Sequence, residues 1–148
     1  MPRIERTADI VWEGTVARGA GTIAAGSGAF SGLGYSLATR IGQPEGKTSP
    51  EELLAAAHGG CLTMSLASEL VAAGTPPGRL EVACLIVMDE VEGQGHQIIG
   101  SHVDLVAAAD GLDDDVLQAA VVKADESCPF STLLRHAGVD VTVAARLA

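Results

Sequence analysis

Apolar and polar positions alternate loosely over the first third of the chain, and helical spacing takes over only after residue 48. Thr7 to Glu13, alternating around Ile10 and Trp12, reads as a strand; Gly21 to Ala25 reads as a second one built of small residues, and Tyr35 to Ile41 as a third. Gly26-Ser27-Gly28 and Gly32-Leu33-Gly34 mark the turns between them, which predicts an antiparallel meander. At Thr48-Ser49-Pro50-Glu51-Glu52 the pattern becomes a helix start: Ser49 as N-cap, Pro50 at the first helical position and Glu52 as the capping-box partner. The helix runs from Pro50 to about Ala73, where Gly74 and Pro76-Pro77 stop it, a rod of about 36 Å at about 1.5 Å per residue. Leu53 to Ala67 carries no charged side chain on any face, so this helix is expected to be buried nearly all round, with sheets or other helices wrapped about it.

Leu80 to Met88 and Ile98 to Ala108 read as two long strands of a hairpin, joined by a loose polar connection containing Glu90, Glu92, Gly93 and Gly95. Asp113-Asp114-Asp115 forms the acidic first turn of a second helix, with Val116, Leu117, Ala120, Val121 and Ala124 at helical spacing. Pro129 interrupts it, bends the chain near Cys128 and starts a short helix that ends near Gly138. Val139 to Leu147 alternates again and closes the chain as a strand. The elements make an α+β protein, and without a linker or internal repeat they are expected to form a single domain over residues 1–148.

Composition narrows the partners. The 148 residues are 47% hydrophobic but only 3% aromatic, so the core is assembled from small aliphatic increments. Nine basic against 19 acidic side chains give a net charge of −10, the wrong sign for nucleic acid or an anionic membrane surface. A neutral or hydrophobic small substrate is easier to accept. The N-terminal stretch Met1-Pro2-Arg3-Ile4-Glu5-Arg6 lacks the apolar run of a signal peptide, and a cytoplasmic protein is expected.

Three cysteines are too few and too widely spaced for a disulfide scaffold or a CxxC clamp, and each is judged singly. Cys61 follows His58-Gly59-Gly60 inside the apolar helix; two helical glycines, costing about 1 kcal/mol each relative to alanine, call for the close approach of another backbone or of a ligand. Its side chain is either a small core hydrophobe or a reactive thiol. Cys128, at the N-cap or first turn of the short helix, meets unpaired N–H groups that favour a thiolate, or is a capping-region residue without reactivity. Cys84 sits among Ala83 and Leu85 and reads as structural. His58 and Cys61 could share a helix face, yet a zinc site needs three or four ligands and no second pair exists, so His58 is expected to be satisfied in the core or to orient a carboxylate. No GxGxxG, Walker lysine or GxSxG elbow is present.

The run from Thr48 to Cys61, through Pro50-Glu51-Glu52-Leu53-Leu54 and His58, resembles the signature helix of the OsmC/Ohr family of osmotically inducible and organic hydroperoxide resistance proteins. Ser127-Cys128-Pro129-Phe130-Ser131 resembles its second cysteine motif, and Trp12-Glu13-Gly14, Arg18-Gly19-Ala20-Gly21-Thr22 and Thr39-Arg40 extend the likeness over nearly the whole chain, with His58 and Trp12-Glu13-Gly14 inclining to the OsmC branch. The resemblance implies antiparallel sheets wrapped around long central helices in an intertwined two-fold homodimer. It implies a thiol-dependent peroxidase without metal, haem or other cofactor, acting on organic hydroperoxides and more weakly on hydrogen peroxide. Cys61 would be the peroxidatic residue and Cys128 the resolving one. Arg40 with Glu51 would form the activating pair, with Arg18 as rival arginine, and an external dithiol, lipoyl-type by analogy, would reduce the disulfide. The alternative is a redox-sensing or apolar-ligand-binding relative with the same fold. Glu51 precedes Cys61 by ten residues, about 15 Å along one helix and on a different face, so a shared active site requires the carboxylate of a second subunit.

Overall fold

Among the described residues, 2–148, the computed structural model places six strands and four helices in a mixed α+β arrangement. Backbone contacts divide them into two compact units that meet in sequence at Pro50/Glu51.

In the N-terminal unit, β1 (Ala8–Glu13), β2 (Ala20–Ala25) and β3 (Leu33–Tyr35) form the expected antiparallel meander in the order β1-β2-β3. Its register pairs Trp12 with Gly21 and Gly21 with Tyr35, and the two rings meet over the glycine with centroids 5.4 Å apart. A Cβ at position 21 would lie 2.5 Å from the Tyr35 ring, so only glycine fits there. The third strand is shorter than the alternation predicts: it ends at Tyr35, and Leu37–Ile41 forms the helix α1. Leu37 and Ile41 satisfy a period of four as well as of two, and the cap decides between them. Ser36, in extended conformation, accepts the Thr39 N–H at 3.2 Å and so nucleates a turn of helix.

The C-terminal unit contains α2 (Pro50–Ala72), β4 (Arg79–Val91), β5 (Gly95–Ala108), α3 (Asp114–Ser127), α4 (Pro129–His136) and β6 (Asp140–Leu147). β4 and β5 form the predicted hairpin, but its strands run further and the connection is three residues, closed by Gln94 N–H donating to Val91 O with Gly93 at φ +75°. Glu90 and Gly95, read as loop, are instead paired across the strands with His96 and Val91, on a solvated ribbon where charge does not oppose strand pairing, while Glu92 and Gly93 stay in the turn. β6 lies parallel to β5, so this sheet is mixed while the first is antiparallel. Two helices intervene between β5 and β6 and return the chain to the starting end of the sheet, the connection that parallel pairing requires.

Val103, Leu105 and Ala107, alternate residues of β5, share one core with Leu62, Leu66 and Leu70 of α2 and Leu117, Ala120, Val121 and Ala124 of α3. Asp113 caps α3 by accepting the Val116 N–H at 2.9 Å, one position before the acidic turn. Burial of α2 is one-sided within the chain. His58, Leu62, Leu66 and Leu70, four residues apart, are buried, whereas Met64 is 76% exposed, so the single chain by itself covers only one face of the helix. Small uncharged residues on every face hide this stripe from a hydrophobicity reading. No described helix is long and apolar enough to cross a membrane.

Candidate active site

Cys61 sits in the middle of α2, one turn after His58, half-buried against the core. Cys128 ends α3 and caps α4 with φ −71° and ψ 115°, because Pro129 keeps the preceding residue out of the helical region while itself needing no N–H at the first helical position. Cys61 packs against the core cluster that contains Cys128. Burial, first, and then the Cys128 thiol push the Cys61 thiol above its ordinary range, and the Phe130 backbone N–H at the start of α4 pulls it down. Cys128 is fully buried.

Behind the thiols lies a buried polar group. His58 Nδ1 is 2.7 Å from Ser101 Oγ of β5 and Nε2 is 2.8 Å from Ser131 Oγ of α4, with all three residues fully buried. Burial pushes the His58 pKa down, against the pull of Asp125 and together with Arg135, so the imidazole is neutral and satisfied in the core. Both ring nitrogens are engaged by hydroxyls, which leaves none for a metal. Among the described residues no three His, Cys, Asp or Glu side chains gather around a metal position.

Cys84 Sγ stands 3.7 Å from Ser101 Oγ and 4.0 Å from His58 Nδ1, half-buried at the edge of the same group. It also accounts for one of the two helical glycines: a Cβ on Gly59 would lie 3.2 Å from Cys84 Cβ, whereas one on Gly60 would meet nothing within 4 Å. The close approach is therefore that of a β4 side chain, at position 59 alone.

Arg40, Arg18 and Glu51, the charged residues expected at the site, are each held by elements of their own unit. Arg40 is in the last turn of α1, where it lines a cavity of the N-terminal unit with Trp12, Val16 and Tyr35. Arg18 closes the turn after β1 through its N–H to Thr15 O. Glu51 is in the first turn of α2, on the same helix as Cys61. Ser101, Asp125 and Arg135 escape a reading by motif, whereas Ser131 ends the second cysteine motif. Ser131 alone leaves a signal, standing one helical turn after Cys128 as His58 stands one turn before Cys61.

A family model described as OsmC-like protein matches residues 42–144. The chain is 33% identical over 124 residues to the peroxiredoxin OsmC of Escherichia coli (strain K12), covering 84% of this chain and 85% of that protein. In fold it is similar to an organic hydroperoxide resistance protein OsmC of Legionella pneumophila, with a TM-score of 0.72 at 22% identity over 97% of this chain and 98% of the other. It is likewise similar to the organic hydroperoxide resistance protein OhrB of Bacillus subtilis, with a TM-score of 0.70 at 24% identity over 95% and 98% of the two chains.

Proposed function

The chain belongs to the OsmC-like protein family, and from that premise we propose that it is a cysteine-based hydroperoxide reductase, residues 1–148 serving as one OsmC-like domain. The observation that supports this reading is the packing of Cys61 against the core cluster that contains Cys128, the residue that caps α4. The Cys61 thiolate attacks the O–O bond of an organic hydroperoxide, or less readily of hydrogen peroxide; the outer oxygen becomes the sulfenic acid and the alkoxide leaves, taking a proton to become the alcohol. The sulfenic acid then condenses with the Cys128 thiol, forming the disulfide and releasing water. A dithiol, lipoyl-type by family analogy, reduces the disulfide and is itself oxidised. Free thiols at all three cysteines suit a reducing compartment, the cytoplasm.

Cys61 is pushed upward within its own unit, so an efficient nucleophile requires a cation. Arg40 fills that role in this reading, with Arg18 as the rival and Glu51 holding the planar guanidinium. Glu51 and Cys61 lie about 15 Å apart along one helix, so the carboxylate serves the cysteine of a second subunit in a two-fold homodimer. The open apolar face of α2 at Met64 and Val71 supports the same assembly, since large side chains exposed on a long helix gain by being covered.

The upward push on Cys61 also favours a second reading, a redox sensor or apolar-ligand binder that keeps the thiols without turnover. Cumene hydroperoxide with dithiothreitol separates the two. The reductase consumes many equivalents of peroxide per chain; consumption of a single equivalent per Cys61 would overturn the catalytic reading.

A further inference from the structure

His58 lies one helical turn before Cys61 on α2, and Ser131 lies one turn after Cys128 on α4. The hydrogen bond between His58 Nε2 and Ser131 Oγ, 2.8 Å, therefore joins the two cysteine-bearing helices beside their thiols. Its other ring nitrogen is fixed to Ser101 of β5 at 2.7 Å, so the imidazole cannot swing without breaking a second buried bond. A neutral imidazole donates at one nitrogen and accepts at the other, and each serine hydroxyl can do either, so both bonds are made in either tautomer. A bond broken here would leave a buried polar atom unsatisfied, which makes this a strong local restraint.

Disulfide geometry is narrow: Cα atoms about 4.4–6.8 Å apart and a torsion near 90° leave little room for one helix to roll on the other. We infer that His58, acting through Ser131, is a positioning residue that holds α4 against α2 in the orientation from which Cys61 and Cys128 join. The inference rests on the thiol pairing proposed above. It makes no demand on the peroxide step, because the link touches neither sulfur of that pair directly.

The test needs no peroxide. Purified protein is equilibrated in mixtures of oxidised and reduced dithiothreitol, where two protein thiols become the disulfide as oxidised dithiothreitol takes up two electrons and two protons. The Cys61–Cys128 fraction is read by mass spectrometry after alkylation. Ser131→Ala is expected to make the disulfide at least tenfold easier to reduce, a shift of about 30 mV for this two-electron couple. Ser101→Ala removes an equally buried partner from the other ring nitrogen but leaves α4 tied, and is expected to stay within threefold of wild type. Should Ser131→Ala not fold, His58→Asn, too short to bridge both serines, takes its place with the same expected shift. An unchanged potential in Ser131→Ala, or an equal shift in Ser101→Ala, would overturn the inference while leaving the thiol pair standing. Wild type that forms no Cys61–Cys128 disulfide in oxidised dithiothreitol would overturn the pairing and the inference together.

Discussion

Arg135 Nη2 donates to Asp125 Oδ2 at 2.5 Å, linking the last turn of α4 to the last turn of α3 across the bend at Cys128. The guanidinium also reaches Val141 O of β6 at 3.3 Å, so one side chain ties three elements around Cys128. Asp125 is the more buried partner, and its Oδ1 has no hydrogen-bond partner among the described residues, which makes it dependent on Arg135. Arg135→Ala is expected to cost about 2 kcal/mol, less than a fully buried pair because the arginine is partly exposed and screened. Asp125→Asn, which leaves no buried charge unpaired, is expected to cost less. Urea unfolding at pH 7 gives both numbers; equal stability of Arg135→Ala and wild type would show that the pair does not hold the bend.

His58 gives a pH dependence of definite sign. Its folded pKa lies below the ordinary 6.5, so below that pH the unfolded chain binds a proton that the native state refuses. Stability from this group is therefore intact above pH 6.5 and declines as pH falls towards the folded pKa, by up to about 1.4 kcal/mol per pH unit. Below the folded pKa the loss levels off. Wild type compared with His58→Gln in urea at pH 7.5 and pH 5.5 isolates the contribution, since the other titrating groups are common to both. The variant is expected to lose less stability on acidification than wild type.

Two substitutions should move the Cys61 titration in opposite directions. The Cys128 thiol pushes Cys61 upward, so Cys128→Ala is expected to lower the pH at which Cys61 becomes reactive. Arg40, in its proposed role, lowers the same value, and Arg40→Ala is expected to raise it. The rate of Cys61 alkylation by iodoacetamide against pH, followed by peptide mass spectrometry, reads both. A shift in Arg18→Ala with none in Arg40→Ala would transfer the role to the rival arginine.

Gly59 and Gly60 look alike in sequence and differ in structure. Replacing either by alanine gains helix propensity, about 1 kcal/mol. At Gly59 the new Cβ must displace Cys84 by a few tenths of an ångström, whereas at Gly60 the chain itself offers no obstacle. Gly59→Ala is expected to be the less stable of the two in urea. Reversed order would mean that another chain packs against Gly60.

What the sequence makes legible is what rests on local chemistry. Pro50 at a helix start, Pro129 breaking one helix into two and the alternation of Val139 to Leu147 all correspond to elements in the structure. Leu37 to Ile41 misleads because its spacing suits both periods, and a single serine hydroxyl decides it. The direction of β6 is invisible locally, since a strand reads the same in parallel and antiparallel company. The motifs bring out Cys61 and Cys128. The hydroxyls that engage His58 come from positions 43 and 73 residues further along the chain, and no motif joins serines so far from their partner.

The proposed sharing of one site between subunits has a consequence that single variants cannot reveal. If Glu51 of one subunit serves Cys61 of its partner, then Glu51→Gln and Cys61→Ser homodimers each have two damaged sites. A mixed dimer gathers both defects into one site and leaves the other with a wild-type carboxylate and a wild-type thiol. Were the site built within one subunit, each subunit would keep its own defect and mixing would restore nothing. After unfolding and refolding equal amounts of the two variants together, half the dimers are mixed and each has one intact site. Hydroperoxide turnover should therefore recover to about a quarter of the wild-type rate per chain, by the symmetry of a two-fold interface. Activity that stays at the average of the two parents would confine Glu51 to its own subunit, leaving it about 15 Å along the helix from the thiol it is proposed to serve.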